Sequence, residues 1–155
     1  MKVKRALIVA VSVTVLGPLE AQAHRHVPRD VVTSFVEAWN ANDVSRMAGL
    51  FAADADLYYP FASFVVGRDG IAGLLQKERA TDVQLKLGEL LRERESWHWA
   101  IVDFRATLQP KGGKPLPVIL SAVVVQTKVG ATPEAHEWSF TSLRVIPDHA
   151  PGAAS

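Results

Sequence analysis

Residues 31–60 read Val31-Val-Thr-Ser-Phe35-Val-Glu-Ala-Trp39-Asn40-Ala-Asn-Asp43-Val-Ser-Arg-Met47-Ala-Gly-Leu50-Phe51-Ala-Ala-Asp54-Ala-Asp56-Leu57-Tyr58-Tyr59-Pro60, and the spacing of their apolar side chains decides the fold. Val31, Val32, Phe35, Val36, Ala38 and Trp39 recur at the i, i+3, i+4, i+7 period of a helix with one buried face. Asp30, after Pro28, is its expected N-cap. Asn40-Ala-Asn-Asp43 stops that helix and caps a second, shorter one with Val44, Met47, Ala48, Leu50 and Phe51 on its apolar face. The pair makes a helical hairpin. Asp54-Ala-Asp56 interrupts the pattern, and Leu57-Tyr58-Tyr59 is a short aromatic strand closed by Pro60.

Further along the chain, Gly67-Arg-Asp-Gly70 turns into a third helix from Ile71 to about Arg79. After Asp82 the pattern changes to long alternating stretches, read as strands near Val83–Glu95, Trp97–Gln109, Leu116–Val129 and Glu137–Ile146. Turns at Lys111-Gly-Gly-Lys114 and Gly130-Ala-Thr-Pro133 separate them. Helices first and an antiparallel meander after them predict an α+β domain, with a curved antiparallel sheet wrapped around the helical hairpin and the third helix.

Towards the N-terminus, Met1-Lys-Val-Lys-Arg5 precedes the apolar run Ala6 to Gly17 and the small-x-small ending Ala21-Gln-Ala23. This is the three-part pattern of a secretory signal peptide over residues 1–23, cleaved after Ala23. A membrane anchor needs about 20 apolar residues, and Gly17-Pro18 breaks the run too early. The expected product is a periplasmic or secreted domain over residues 24–147 with a flexible tail over 148–155, and no membrane partner after cleavage. The absence of cysteine suits an oxidising compartment.

The 155 residues are 48% apolar and 21% charged, with 17 basic and 16 acidic residues. Lys2, Lys4 and Arg5 are three of those 17 and Glu20 one of those 16, so the rest carries 14 basic against 15 acidic residues. A near-neutral body without a basic block offers no footprint for nucleic acid. Its length supports one core and hardly two.

The run from Val31 to Pro60, with Phe51-Ala-Ala-Asp54-Ala55 at its centre and Gly67-Arg-Asp-Gly70 after it, resembles the opening of a nuclear transport factor 2-like domain. That superfamily includes ketosteroid isomerases, scytalone dehydratase and SnoaL-like polyketide cyclases. The resemblance covers nearly all of residues 28–147 and implies a cone-shaped fold, with a mostly apolar pocket at its open end and frequent dimerisation. Its motifs are structural and specify chemistry poorly.

Ketosteroid isomerases resemble the chain without gaps across the helical hairpin. Where they carry a hydrogen-bonding tyrosine this chain has Phe35, where they carry the carboxylate base it has Tyr59, and Leu116–Val129 holds no carboxylate for their late-strand acid. Steroid isomerisation is therefore rejected. Scytalone dehydratase also has a tyrosine at the Tyr59 position, but its neighbouring tyrosine and aspartate correspond here to Trp39 and Asn40. Phe35, Trp39, Asn40, Leu57 and Tyr59 are the expected pocket residues. Asp103, with Tyr59, is the candidate catalytic pair, provided that the strand face carrying Trp97, Trp99, Ile101, Asp103 and Arg105 lines the pocket. The competing reading is a surface Asp103–Arg105 pair.

The chain has no His-Glu-x-x-His, nucleophile elbow, dinucleotide fingerprint or phosphate loop, so no cofactor and no metal are expected. Cleavage after Ala23 would expose His24-Arg25-His26, a nitrogen set that suits Cu(II) or Ni(II) and is also easily accidental. The expected partner is a small apolar molecule, with SnoaL-like lyase or isomerase chemistry as the enzymatic reading and a non-catalytic binding or dimerisation module as the other. Leu116–Val129 is apolar on both faces, which predicts a homodimer through the outer sheet face.

Overall fold

The first helix begins at Pro28, whose missing N–H costs nothing at a helix start, and runs as α1 over Pro28–Asn40. The cap is Val27 rather than Asp30. Asp30 lies three residues into the segment, and its carboxylate accepts a hydrogen bond from the Val27 N–H at 3.3 Å. Asn42 takes a left-handed φ of 58° to turn the chain, and Asp43 caps α2, Val44–Gly49, by accepting from the Arg46 N–H at 2.9 Å. The computed structural model describes residues 27–60, 64–79, 81–128 and 137–148. The expected signal peptide, the His24-Arg25-His26 terminus, the Gly130–Pro133 turn and the tail beyond 148 lie outside them.

Phe51 begins a strand rather than extending α2: β1 covers Phe51–Tyr58, with Phe51, Ala55 and Leu57 buried. The Asp54-Ala-Asp56 segment lies inside it. A register shift between Phe51 and Asp56 interrupts the ladder, and Arg68 closes the gap by donating from Nε and Nη2 to the Phe51 carbonyl at 2.9 and 2.6 Å. Strand β2, Phe64–Val66, folds back on β1, and α3 spans Arg68–Arg79. Then come β3 (Val83–Glu95), β4 (Trp99–Pro110), β5 (Leu116–Lys128) and β6 (Glu137–Pro147). Ser96-Trp97-His98 is a turn, so β4 starts two residues later than the alternation suggests.

The sheet has the order β2-β1-β6-β5-β4-β3 and is not closed. It is not a pure meander, because β1 runs parallel to β6 while every other neighbouring pair is antiparallel. One face is the core: Ala100, Val102, Phe104 and Ala106 of β4, Val118, Leu120, Ala122 and Val124 of β5, and Leu143 and Val145 of β6 pack with the helices. The opposite face is outer, and it carries Asp103, Ser121, Arg144 and Tyr58 in one cross-strand row. This α+β architecture is consistent with the expected cone. No helix among the described residues is long and apolar enough to cross a membrane.

Candidate functional site

Phe35 and Trp39 stand one helical turn apart on α1 and face the end of β1. Their rings lie 6.0 Å apart, Phe35 meets Phe51 and Phe140 edge-on at 6.0 and 5.9 Å, and Trp39 stacks on Tyr59 at 5.8 Å with 25° between the planes. These are favourable aromatic geometries. The Trp39 indole N–H donates to the Val83 carbonyl at 2.8 Å. That carbonyl also accepts from Arg79 Nη1 at 2.6 Å, and the Arg79 guanidinium carbon sits 5.2 Å from the Trp39 ring centre, within cation–π range. Arg79 Nε completes the arrangement by donating to the Asn42 side-chain oxygen at 3.1 Å.

Tyr59 carries the one hydroxyl in this aromatic group. It is 7% exposed, and the described residues give its hydroxyl no hydrogen-bond partner. Burial pushes its phenol up to about 12, the Glu78 charge adds to the rise and Arg79 opposes it. It is therefore a neutral donor across the physiological range. Leu57, two residues earlier on the same face, is buried, as are Phe35 and Trp39. Asn40 is exposed but engaged, since its amide pairs with the backbone of Leu85. The structure thus gathers Phe35, Trp39, Leu57 and Tyr59 into one packed aromatic end and uses Asn40 to hold β3 against it.

Asp103 does not join them. It lies on the outer face, where its Oδ2 accepts from Arg92 Nε and Nη2 at 2.7 and 2.6 Å and its Oδ1 accepts from the Ser121 hydroxyl at 2.8 Å. The register sets this arrangement, because Arg92, Asp103 and Ser121 are cross-strand partners. Arg105, its neighbour in sequence, pairs instead with Glu89 at 2.7 Å and Asp148 at 3.1 Å. Asp103 therefore lies on the outer face of the sheet, whereas Tyr59 packs on the core side. Alternation sorts side chains into two faces, and packing against the helices decides which face is inside.

Sequence reasoning did not single out Glu78 and Arg79. Both close α3, where a basic residue is favoured by the helix dipole. Their approach to Tyr59 and Trp39 depends on how α3 docks. Among the described residues no group of three or more histidine, cysteine or carboxylate side chains could hold a metal ion.

No curated protein matches the chain. Many solved structures share its fold. A domain of unknown function with a cystatin-like fold from Nostoc punctiforme aligns with a TM-score of 0.68 and 18% identity over 84% of this chain and 80% of that one. A ketosteroid isomerase-like protein from Erwinia carotovora atroseptica gives 0.62 and 18% over 83% and 99%. The Anabaena orange carotenoid protein binding canthaxanthin gives 0.63 and 17% over 81% of this chain and 37% of that one. At such identities the likeness is one of fold. The SnoaL-like domain family matches residues 32–132, from α1 through β5 and most of the elements just described, and the chain belongs to this family within the nuclear transport factor 2-like superfamily.

Proposed function

We propose that this domain binds a small, largely apolar molecule at its aromatic end, with the Tyr59 hydroxyl as the polar anchor, and that it is a binding module rather than an acid–base catalyst. The observation that carries the reading is Tyr59, 7% exposed and stacked on Trp39, whose hydroxyl has no hydrogen-bond partner among the described residues. Such a hydroxyl is free to donate to a ligand carbonyl, a hydrogen bond worth about 0.5–1.5 kcal/mol. The anchoring of Asp103 to Arg92 and Ser121 on the outer face supports binding without turnover. An apolar ligand agrees with the solved neighbour described as binding canthaxanthin. The proposed compartment is the periplasm or the extracellular space, from the pattern of residues 1–23. Native mass spectrometry of protein purified from its own periplasm tests the reading: a retained small molecule, at lower occupancy in Tyr59→Phe, is expected, and equal retention by both proteins would move the site elsewhere.

A homodimer belongs to the same reading. Trp99, Ile101, Val123 and Val125 form one patch on the outer face of β4 and β5, where Trp99 pairs with Val125 and Ile101 with Val123. Trp99 is 46% exposed. A second copy covering this patch would remove it from water.

A further inference from the structure

The outer face holds an open depression of about 290 Å³ where β2, β1 and β6 lie side by side, lined by Tyr58, Phe64, Arg144 and Ile146. Its walls follow from register: Tyr58 pairs with Phe64 on one side and with Arg144 on the other, and Ile146 follows Arg144 by two residues on the same face. Phe64 is 58% exposed and Tyr58 44%, so two aromatic rings stand open to solvent beside one guanidinium. The neighbouring acids on this face are already occupied. The Ser142 hydroxyl donates to Asp56 at 2.6 Å, and Asp103 is held by Arg92 and Ser121. Arg144 therefore has no carboxylate partner among the described residues.

A guanidinium fork matches a carboxylate in two parallel hydrogen bonds, and exposed rings favour a flat apolar body. Asp56 and Asp103 flank the site with negative charge, and the single Arg144 offsets one anionic charge, which favours a carboxylate over a doubly charged phosphate. The volume suits a small ligand, since binding pockets run from roughly 300 to 1,000 Å³. We infer that this depression is a second binding site, separate from the Tyr59 end, for a small aromatic carboxylate clamped by Arg144 against Tyr58 and Phe64. It shares no residue with the patch of Trp99, Ile101, Val123 and Val125, so dimerisation does not use up its walls.

The test is a titration of the full domain with 2-naphthoate and with its neutral isostere 2-naphthamide, followed by calorimetry and by backbone amide shifts. Naphthoate should bind saturably and move the amides of Tyr58, Arg144 and Ile146, with naphthamide at least tenfold weaker. Arg144→Gln should weaken naphthoate at least tenfold and leave naphthamide unchanged, and Tyr59→Phe should alter neither. Equal affinity for acid and amide, indifference to Arg144→Gln, or shifts confined to the Tyr59 end would overturn the assignment. So would a lack of binding at millimolar naphthoate.

Discussion

Asn40 and Leu85 are joined twice: the Asn40 amide nitrogen donates to the Leu85 carbonyl at 2.8 Å, and the Leu85 N–H donates back to the Asn40 amide oxygen at 2.9 Å. One side chain thus acts as a strand neighbour for β3, the last strand in the sheet order, whose outward groups would otherwise lie open. Asn40→Ala strips both partners from partly buried backbone groups and should cost about 1–3 kcal/mol. Asn40→Asp keeps the shape but sets a carboxylate oxygen against a carbonyl, so at neutral pH it should cost at least as much. Urea denaturation measures both, and variants as stable as the parent would show that the pair contributes nothing.

Tyr59→Phe removes one hydroxyl and keeps the stacked ring. Affinity for a carbonyl-bearing ligand should fall by about 0.5–1.5 kcal/mol, with stability near neutral pH unchanged or slightly raised. The alkaline limb carries the second signature. Because the folded phenol sits at about 12 against about 10 in the unfolded chain, the unfolded state loses its proton first. Stability should therefore be undiminished below about pH 10 and fall as pH rises toward 12. Denaturation between pH 9 and 12 should show this fall in the parent and a smaller one in Tyr59→Phe; identical slopes would remove Tyr59 as its source.

Asp103→Asn keeps the shape of the outer-face contact and deletes its charge. The Arg92 partner is half exposed, so the loss should be in the range of about 0.2–1 kcal/mol for such pairs, with ligand affinity at the Tyr59 end unaltered. If turnover of any substrate is found, a fall of orders of magnitude in this variant would restore Asp103 as an acid–base group.

The dimer rests on an apolar patch, so charge placed on it should break the assembly. Sedimentation at micromolar concentration should give roughly twice the protomer mass for the parent, and one protomer mass for Val123→Lys or Trp99→Lys with circular dichroism unchanged. A monomeric parent would count against the interface.

Export predicts a mature protein that starts at His24, which N-terminal sequencing of periplasmic material reads directly. An intact Met1 would sink the proposal. One equivalent of Cu(II) added to the mature form tests the terminus in turn: visible absorption lost in His26→Ala would locate the ion there.

Periodicity alone placed α1 and the long strands, because Val31 through Trp39 can satisfy only a helical stripe and β4 alternates strictly. It failed at Phe51, which stands four residues after Met47, as a helix face requires, and equally begins a strand. Docking of β1 beside β6 decides between these. Asp56 read as a strand breaker because aspartate is rare in sheets, yet the Ser142 hydroxyl satisfies it at 2.6 Å, a partner 86 residues away that no local pattern shows. The candidate site divides in the same way. Trp39 and Tyr59 were legible from helix face and family resemblance, whereas Arg79 over Trp39 and Arg92 on Asp103 depend on docking and register.

The parallel pairing of β1 with β6 sets an order of events for the nascent chain. Strand β1 is made early, but the neighbour that lies between it and β5 ends at Pro147. Until Glu137–Pro147 leaves the ribosome, the β2–β1 hairpin and the β5–β4–β3 unit each present an unsatisfied edge with nothing to join them. Assembly of the whole sheet is therefore a late, high-contact-order step. A polypeptide stopped before Glu137 should remain protease-sensitive and prone to edge-to-edge association. Were the chain exported unfolded, as proposed, a keystone delivered last would keep the rest threadable.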